Sequence, residues 1–223
     1  MYNHIKRLID IFIALIALII LSPLLVPVII ILLLTGEHEV FYKQKRVGYK
    51  NKRFKIWKFA TMVKNSSKMG TGSITLRNDP RVLPFGKFLR KTKINELPQI
   101  INVLIGDMSI VGARPQMEVD FFRFKEKYQE TIYNVKPGIT GIGSIIFRDE
   151  EKLVSESKLP PAEFFAKYID SYKCELELWY QKNIGFITDC KLMFITAWVI
   201  FFSESELPKK ILKDLPERPI IED

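Results

Sequence analysis

The sequence predicts a mixed α/β protein, mainly helical with a small sheet, that carries a membrane segment near its N-terminus. Three observations support this fold class. Residues 9–34 are almost wholly apolar, several later segments have the length and apolar spacing of helices, and short β-type runs lie between them. A chain of 223 residues is also long enough to bury one sizeable core besides the membrane element.

Residues 9–34 would reach about 39 Å as one straight helix and are therefore long enough to cross a bilayer. Ser22 and Pro23 lie near the middle of the segment, where a proline bends a helix and a serine can bond a freed carbonyl group. Basic residues flank both ends, and the positive-inside rule would place both ends at the cytoplasmic face. We therefore favour a re-entrant helix hairpin, broken at Ser22-Pro23, over a simple transmembrane anchor.

The segments that follow alternate between short strands and helices. Residues 40–62 alternate basic and apolar side chains around a turn at Gly48, which indicates strand or interfacial structure against anionic headgroups. Residues 64–79 are rich in serine, threonine, glycine and asparagine and predict a mobile loop. Helices are expected over 118–135, 160–179 and 184–202, the last packed on the membrane element rather than crossing the bilayer.

The composition limits the kinds of partner and catalytic site that this chain can have. The net charge of +9 favours anionic partners, either phosphates, acidic lipids or nucleic acid, but no nucleic-acid motif is readable. His4 and His38 are the only histidines, which argues against a histidine-dependent triad or a multi-histidine metal site. Cys174 and Cys190, the only cysteines, indicate free thiols. Any catalysis must therefore rely on carboxylates, basic residues and a metal.

The stretch Arg90–Pro115 concentrates the residues suited to phosphate chemistry. Asn95 and Glu96 have the composition of a helix start, with Asn95 as the cap, and a purely structural role would account for both. Cations directly precede this start, where backbone N–H groups already favour an anion. Glu96 is also placed to hold a divalent metal that shares substrate phosphates, and Arg114 offers a guanidinium suited to phosphate.

Residues 95–115, NELPQIINVLIGDMSIVGARP, resemble the signature of the small monotopic phosphoglycosyltransferases, a class of bacterial sugar transferases. Further matches follow in the same order along the chain. They are the Ser22-Pro23 break, KQKRVGYKNKRFKIWKFATM at 43–62, KPGITG at 136–141 and LELWYQKN at 176–183. The resemblance thus covers most of the chain.

This resemblance implies an enzyme that transfers a sugar 1-phosphate from a UDP-sugar to polyprenyl (undecaprenyl) phosphate and releases UMP. It implies Mg2+ as cofactor, a covalent aspartyl intermediate, and a role in exopolysaccharide, capsule or lipopolysaccharide assembly. It places a monotopic protein at the cytoplasmic face of the bacterial inner membrane, with interfacial amphipathic helices around a compact α/β core, and leaves a homodimer possible. The regions expected are a membrane helix–break–helix (1–36), a cytoplasmic phosphoglycosyltransferase core (37–203) and a C-terminal tail (204–223).

The site residues are predicted from this resemblance together with the basic residues of the chain. Glu96 stands at the family's second carboxylate, which is expected to bind Mg2+, and Asn95 stands where the nucleophilic aspartate belongs. The residues expected to bind the phosphates and the rest of the substrate are Lys58, Arg90, Lys91, Arg114 and Pro115.

Two departures from the family pattern bear on activity. An amide at Asn95 is a very poor nucleophile toward phosphorus. After KPGITG the family commonly continues with a Trp-Ala-Gln-Val-Asn-Gly-Arg-like run, whereas this chain has IGSIIFR, in which Arg148 is the candidate replacement for the family's arginine. Two readings stay open. Another carboxylate (Glu96, Asp149 or Glu150) or an altered mechanism supports catalysis, or the chain is a non-catalytic relative that binds polyprenyl phosphate or scaffolds a glycan-assembly complex.

Overall fold

The computed structural model describes residues 2–66, 69, 79–148, 153–154, 157–202 and 205–219. It has a 33-residue N-terminal apolar helix, further helices and two small two-stranded sheets, so the predicted mixed fold class is confirmed. Its larger elements in chain order are α1 (Tyr2–Leu34), β1 (Phe41–Val47), β2 (Arg53–Phe59), α2 (Pro84–Lys91), α3 (Gln99–Ile105), β3 (Ser109–Val111), α4 (Glu118–Phe121), α5 (Glu126–Gln129), β4 (Gly138–Thr140), α6 (Ile142–Ile146), α7 (Pro161–Phe164), a π-helical segment (Phe165–Ile169), α8 (Asp170–Lys182), α9 (Phe186–Phe201) and α10 (Leu207–Ile211).

Helix α1 would span about 50 Å if straight, more than the roughly 30 Å of a bilayer's hydrocarbon core. Within the described part of the chain it is the one helix that is long and apolar enough to cross a membrane by length and composition. Only 11% of its most apolar window is buried, which is low for a core helix of a soluble protein. Large apolar side chains therefore remain exposed along much of its surface, including Phe12, Ile19, Ile20 and Leu34.

One stripe of α1 packs on the rest of the protein along almost its whole length. Ala14 lies in a cluster with Ile56 of β2 and Val103 of α3, and Val28 and Leu32 lie in a second cluster nearer the C-terminal end of the helix. The spacing of these residues by multiples close to 3.6 puts them on one helical face. The opposite face exposes large apolar side chains, which suit an apolar environment.

Polar contacts fix the N-terminal end of α1. Arg7 donates to the backbone carbonyls of Val103 and Leu104, which are near the C-terminal end of α3, where carbonyl groups lack helical partners. Asp10, 4% exposed, accepts a hydrogen bond from the backbone N–H of Ile110 at 3.0 Å. The one charged side chain within the apolar run thus has a backbone partner on β3, as a buried polar group requires.

Helix α1 continues through Pro23 and Pro27. The hydroxyl of Ser22 donates to the carbonyl of Ile19 at 2.8 Å. That carbonyl lies four residues before Pro23, and proline has no N–H with which to bond it. The expected serine contact is confirmed, whereas a hairpin within the bilayer stays a prediction.

Two small sheets bring distant segments together. Strands β1 and β2 form an antiparallel hairpin, with Tyr42 opposite Lys58, so the predicted strand structure around Gly48 is confirmed. Strands β3 and β4 pair in parallel, with Val111 opposite Thr140. Gly138 is required there, because a Cβ would lie 2.1 Å from the backbone nitrogen of Gly112.

Two helical expectations need correction. The segment 118–135 is not one exposed helix but contains two short helices, α4 and α5, since Lys125 between them is extended. That break lets the aromatic residues of the segment, Phe121, Phe124, Tyr128 and Tyr133, converge on one core cluster. The helix expected from residue 160 is found as α7, a π-helical segment and α8, reaching Lys182. The loop predicted over 64–79 and the candidate carboxylates Asp149 and Glu150 lie largely or wholly outside the described residues.

Candidate active site

Glu96 lies at the centre of a charged cluster that several segments of the chain assemble. Lys58 of β2 donates to its Oε1 at 3.0 Å. Arg114, which follows β3, approaches the same oxygen at 3.1 Å and Oε2 at 3.5 Å. Two of the predicted binding residues are therefore in direct contact with the predicted metal ligand.

The side chain of Asn102 joins the strand that carries Lys58 to the helix that follows Glu96. Its Oδ1 accepts from the backbone N–H of Trp57 at 2.9 Å, and its Nδ2 donates to the carbonyl of Lys55 at 2.8 Å. Asn102 is completely buried, so each of these bonds is costly to lose. Both bonds are made to the part of β2 just before Lys58 in sequence, and they hold that part of the strand against α3.

Asn95 does not cap a helix, so the structural expectation for this residue was wrong. It lies in a 3₁₀ turn, Ile94–Glu96, while α3 begins at Gln99 without a side-chain cap. Asn95 is 6% exposed, and its buried Oδ1 has no hydrogen-bond partner among the described residues. An unsatisfied buried carbonyl oxygen is unfavourable, so Asn95 Oδ1 is a candidate ligand atom for a group bound at this turn.

The electrostatics of the cluster are dominated by burial and by close charges. Burial alone would raise the pKa of the Glu96 carboxyl, but the charges of Arg114 and Lys58 lower it well below its usual range. Burial lowers the pKa of Lys58 to about 8, although the carboxylate of Glu96 partly offsets this effect. Glu96 is therefore ionised at neutral pH, and Lys58 is a cation that titrates near pH 8.

Arg46 of β1 is a member of this cluster that the sequence analysis did not identify as a site residue. Its guanidinium donates to the side chain of Gln44 at 2.7 Å and to the carbonyl of Pro115 at 3.3 Å, and it makes no ion pair in the described part of the chain. Its Nε is buried without a partner there. Burial, together with the charge of Arg114, lowers the pKa of Arg46 to about 10.

We call Arg46, Lys58, Arg114 and Glu96 the anion-binding cluster. It carries three positive charges and one negative charge at neutral pH. All four side chains are partly withdrawn from water, and such charges are usually paired because desolvation costs free energy. The excess of positive charge, close to Glu96, therefore indicates a site for a multiply charged anion such as a diphosphate.

The other predicted site residues lie outside these contacts. Arg90 is half-buried and Lys91 exposed at the C-terminal end of α2, and neither bonds to Glu96. Pro115 is buried and contributes its carbonyl to Arg46. Arg148 is exposed after α6 and makes no hydrogen bond or ion pair with the described residues. The roles predicted for Arg90, Lys91 and Arg148 stay predictions.

A magnesium ion suits the donor atoms at the 3₁₀ turn. Among the described residues no group of three or more His, Cys, Asp or Glu side chains could hold a metal by itself. Mg2+, however, is often bound by one or two protein oxygens together with water and substrate phosphates. The carboxylate of Glu96 and the unpartnered Oδ1 of Asn95 are two such oxygens on consecutive residues.

The anion-binding cluster lies beside the apolar helix. Phe59, next to Lys58 in sequence, and Ile94, two residues before Glu96, pack in one apolar cluster with Val28 and Leu32 of α1. A substrate whose phosphate enters the cluster would thus have apolar surface within reach for a lipid chain.

Comparison with known proteins identifies the family of this chain. The family model for bacterial sugar transferases matches residues 1–203. The UDP-glucose:undecaprenyl-phosphate glucose-1-phosphate transferase of Escherichia coli (strain K12) is 37% identical over 82% of this chain and 39% of its own length. The uncharacterized sugar transferase EpsL of Bacillus subtilis (strain 168) is 34% identical over 89% of this chain and 88% of its own length.

A third relative is the UDP-N-acetylgalactosamine-undecaprenyl-phosphate N-acetylgalactosaminephosphotransferase of Aeromonas hydrophila, 38% identical over 65% of this chain. The chain spans only 34% to 41% of the length of the first curated relatives that it matches. The matched region nevertheless includes α1, both small sheets and every residue of the anion-binding cluster. The chain belongs to the bacterial sugar transferase family.

Proposed function

We propose that this protein transfers a sugar 1-phosphate from a UDP-sugar to undecaprenyl phosphate, forming undecaprenyl diphosphate sugar and UMP. The observation that carries this proposal is the anion-binding cluster, with its excess positive charge, beside the apolar surface of α1. Relatives of this chain are named for undecaprenyl-phosphate sugar phosphotransferase reactions and for exopolysaccharide production. A UDP-sugar and a lipid phosphate are both suitable substrates for a step of polysaccharide assembly at a membrane.

In the proposed reaction an oxygen attacks the β-phosphorus of the donor, and the bond between that phosphorus and the oxygen bridging to the α-phosphorus breaks. UMP leaves with the bridging oxygen. Arg114 and Lys58 hold the donor phosphates and balance the charge that spreads over their oxygens. Glu96 orients both cations. Its low pKa and its contacts with both make it a weak nucleophile, so we infer that the acceptor phosphate attacks directly in this chain.

Mg2+, when held by Glu96 and Asn95 together with substrate phosphates, would neutralise negative charge on the diphosphate. The amide of Asn95 can supply an oxygen ligand but no nucleophile. Omission of Mg2+ should therefore weaken the binding of UDP by this protein, which titration calorimetry measures without reference to turnover.

The function is tested by incubating the purified full chain with undecaprenyl phosphate, Mg2+ and a panel of UDP-sugars, and measuring UMP. Release of UMP from at least one donor, dependent on the lipid phosphate, supports the transferase. Arg114→Ala is a suitable negative control, because it removes one of the two cations in contact with Glu96. If no donor yields UMP with either the wild-type protein or Asn95→Asp, the enzyme proposal fails.

The second candidate is a non-catalytic relative that binds polyprenyl phosphate. The observation that favours it is the buried amide of Asn95 in the position expected for the nucleophile. The same assay separates the two candidates. A wild-type protein that binds undecaprenyl phosphate without releasing UMP, together with an active Asn95→Asp variant, would support the binding role.

The pH dependence of kcat/KM should show a loss of activity as pH rises through about 8. Lys58 has a lowered pKa of about 8 in the folded protein, so it loses the charge that binds phosphate above that pH. In Lys58→Arg the guanidinium stays charged, and the alkaline loss should shift to higher pH. An unchanged profile in that variant would show that another group titrates.

The membrane arrangement that we propose is monotopic, with both ends of α1 at the cytoplasmic face. Arg7 and Asp10 near one end and Val28 and Leu32 near the other all contact the same folded body. A helix that crossed the bilayer could keep only one end against a body on one side of it. The break at Ser22-Pro23 would let the segment enter and leave by the same face.

Cysteine labelling tests this arrangement in a background from which Cys174 and Cys190 have been removed. Cysteines introduced at the exposed positions Asn3 and Glu39 should react only when the cytoplasmic face is accessible. Labelling of the two positions from opposite faces would show a transmembrane helix instead.

A further inference from the structure

We propose that the hydroxyl group of Tyr133 is a positioning element that holds the segment carrying Arg114 and thereby sets the spacing of the two arginines of the anion-binding cluster. Tyr133 is therefore a positioning residue for binding of the donor diphosphate. This inference rests on the proposed function, because it concerns how the same cluster recognises a nucleoside diphosphate.

The hydroxyl of Tyr133 bridges the backbone on both sides of Pro115. It donates to the carbonyl of Arg114 at 2.9 Å and accepts from the backbone N–H of Gln116 at 2.8 Å. Burial raises the pKa of Tyr133 well above its usual range, so the hydroxyl keeps the proton that it donates. Both backbone groups of this irregular segment are satisfied by one side chain.

The same segment is linked to the strand that carries Arg46. The carbonyl of Gln116 accepts from the backbone N–H of Val47 at 2.9 Å, and the carbonyl of Pro115 accepts from Arg46 at 3.3 Å. The backbone carbonyl of Tyr133 in turn accepts from the N–H of Lys50 at 2.8 Å. Tyr133 thus contacts the Arg114 segment through its hydroxyl and the β1–β2 turn through its backbone.

The aromatic ring has a separate, purely structural role. Tyr133 is 1% exposed, and its ring stacks on Phe121 with ring centroids 5.8 Å apart. Phenylalanine would preserve this packing and remove only the two hydroxyl bonds. The chain supplies a matched control in Tyr128, which is 3% exposed in the same apolar cluster. Its hydroxyl donates to Glu175 at 3.1 Å, which is not a member of the anion-binding cluster.

The experiment measures the dissociation constant of UDP by titration calorimetry for the full-length wild-type protein, Tyr133→Phe and Tyr128→Phe, alongside the Tm of each. Tyr133→Phe should weaken UDP binding about three- to tenfold, the range expected when one or two hydrogen bonds that fix a charged group are lost. Tyr128→Phe should bind UDP like the wild type. A Tm lowered equally in both variants would be due to the lost hydroxyl bonds, and it would not account for a difference between them in UDP affinity.

Two outcomes overturn the inference alone: an unchanged UDP affinity in Tyr133→Phe, or equal weakening in Tyr133→Phe and Tyr128→Phe. Both would assign Tyr133 a structural role only. A wild-type protein that does not bind UDP would instead overturn the donor assignment of the proposed function, and this inference with it.

Discussion

Replacing Asn95 by aspartate should raise the rate of UMP release by about 10²- to 10⁴-fold, the contribution typical of one well-positioned chemical group. A carboxylate at this position can attack phosphorus, whereas the amide cannot. The position also suits a new negative charge, because the anion-binding cluster carries more positive than negative charge and Asn95 Oδ1 is buried without a partner among the described residues. We therefore expect the variant to fold with little loss of stability.

The measurement is the initial rate of UMP release at saturating UDP-sugar and undecaprenyl phosphate. Asn95→Ala is the matched control, and it should release UMP more slowly than the wild type, because alanine also removes the proposed oxygen ligand. Equal rates for the wild-type protein and Asn95→Asp would contradict the prediction, since a carboxylate at this position would then give no advantage over direct attack by the acceptor phosphate. The aspartate variant should also form a covalent intermediate that acid quenching traps, and the wild-type protein should not.

Replacing Glu96 by glutamine should lower kcat/KM by about 10²- to 10³-fold and the free energy of unfolding by roughly 3 kcal/mol. The neutral amide has nearly the same shape but removes the negative charge that Lys58 and Arg114 share. Lys58 is then left as a buried cation, since its side chain is 15% exposed. Chemical denaturation measures the stability, and UMP release measures the activity.

The stability difference between the wild type and Glu96→Gln should depend on pH. The folded-state pKa of Glu96 lies below its unfolded value of about 4.3. Its contribution is therefore fully present above pH ~4.3 and is lost as pH falls toward the folded-state value. Glu118→Gln provides the control, because Glu118 pairs with the exposed Arg53 at the surface and should change stability by less than about 1 kcal/mol. Equal losses in the two variants would contradict the assigned role of Glu96.

Much of the architecture of the N-terminal part of the chain was predictable from local pattern. The apolar run and the Ser22-Pro23 step act over a few residues, so helical structure over 9–34 and the serine contact to Ile19 followed from sequence spacing. The hairpin broken at Ser22-Pro23 stays a prediction. The strands on either side of Gly48 were predictable for the same reason, because alternation along one segment reports strand structure directly. The two short helices of segment 118–135 were not predictable from local pattern, because the break at Lys125 depends on where distant aromatic partners lie.

The sequence by itself determined which chemical groups this protein possesses: an amide in place of a nucleophilic carboxylate at Asn95, an acid at Glu96 and many cations nearby. Only the tertiary structure decided which of those cations surround Glu96. The pairing of β1 with β2 and the Asn102 bonds bring Lys58 into contact with Glu96. Arg90 and Lys91 are nearer to Glu96 in sequence but do not contact it. Arg46 is linked to the same cluster by its bond to the carbonyl of Pro115, in the segment whose backbone bonds the Tyr133 hydroxyl. The physical reason is that charge partners are chosen by burial and long-range backbone contacts, which spacing along the chain does not report.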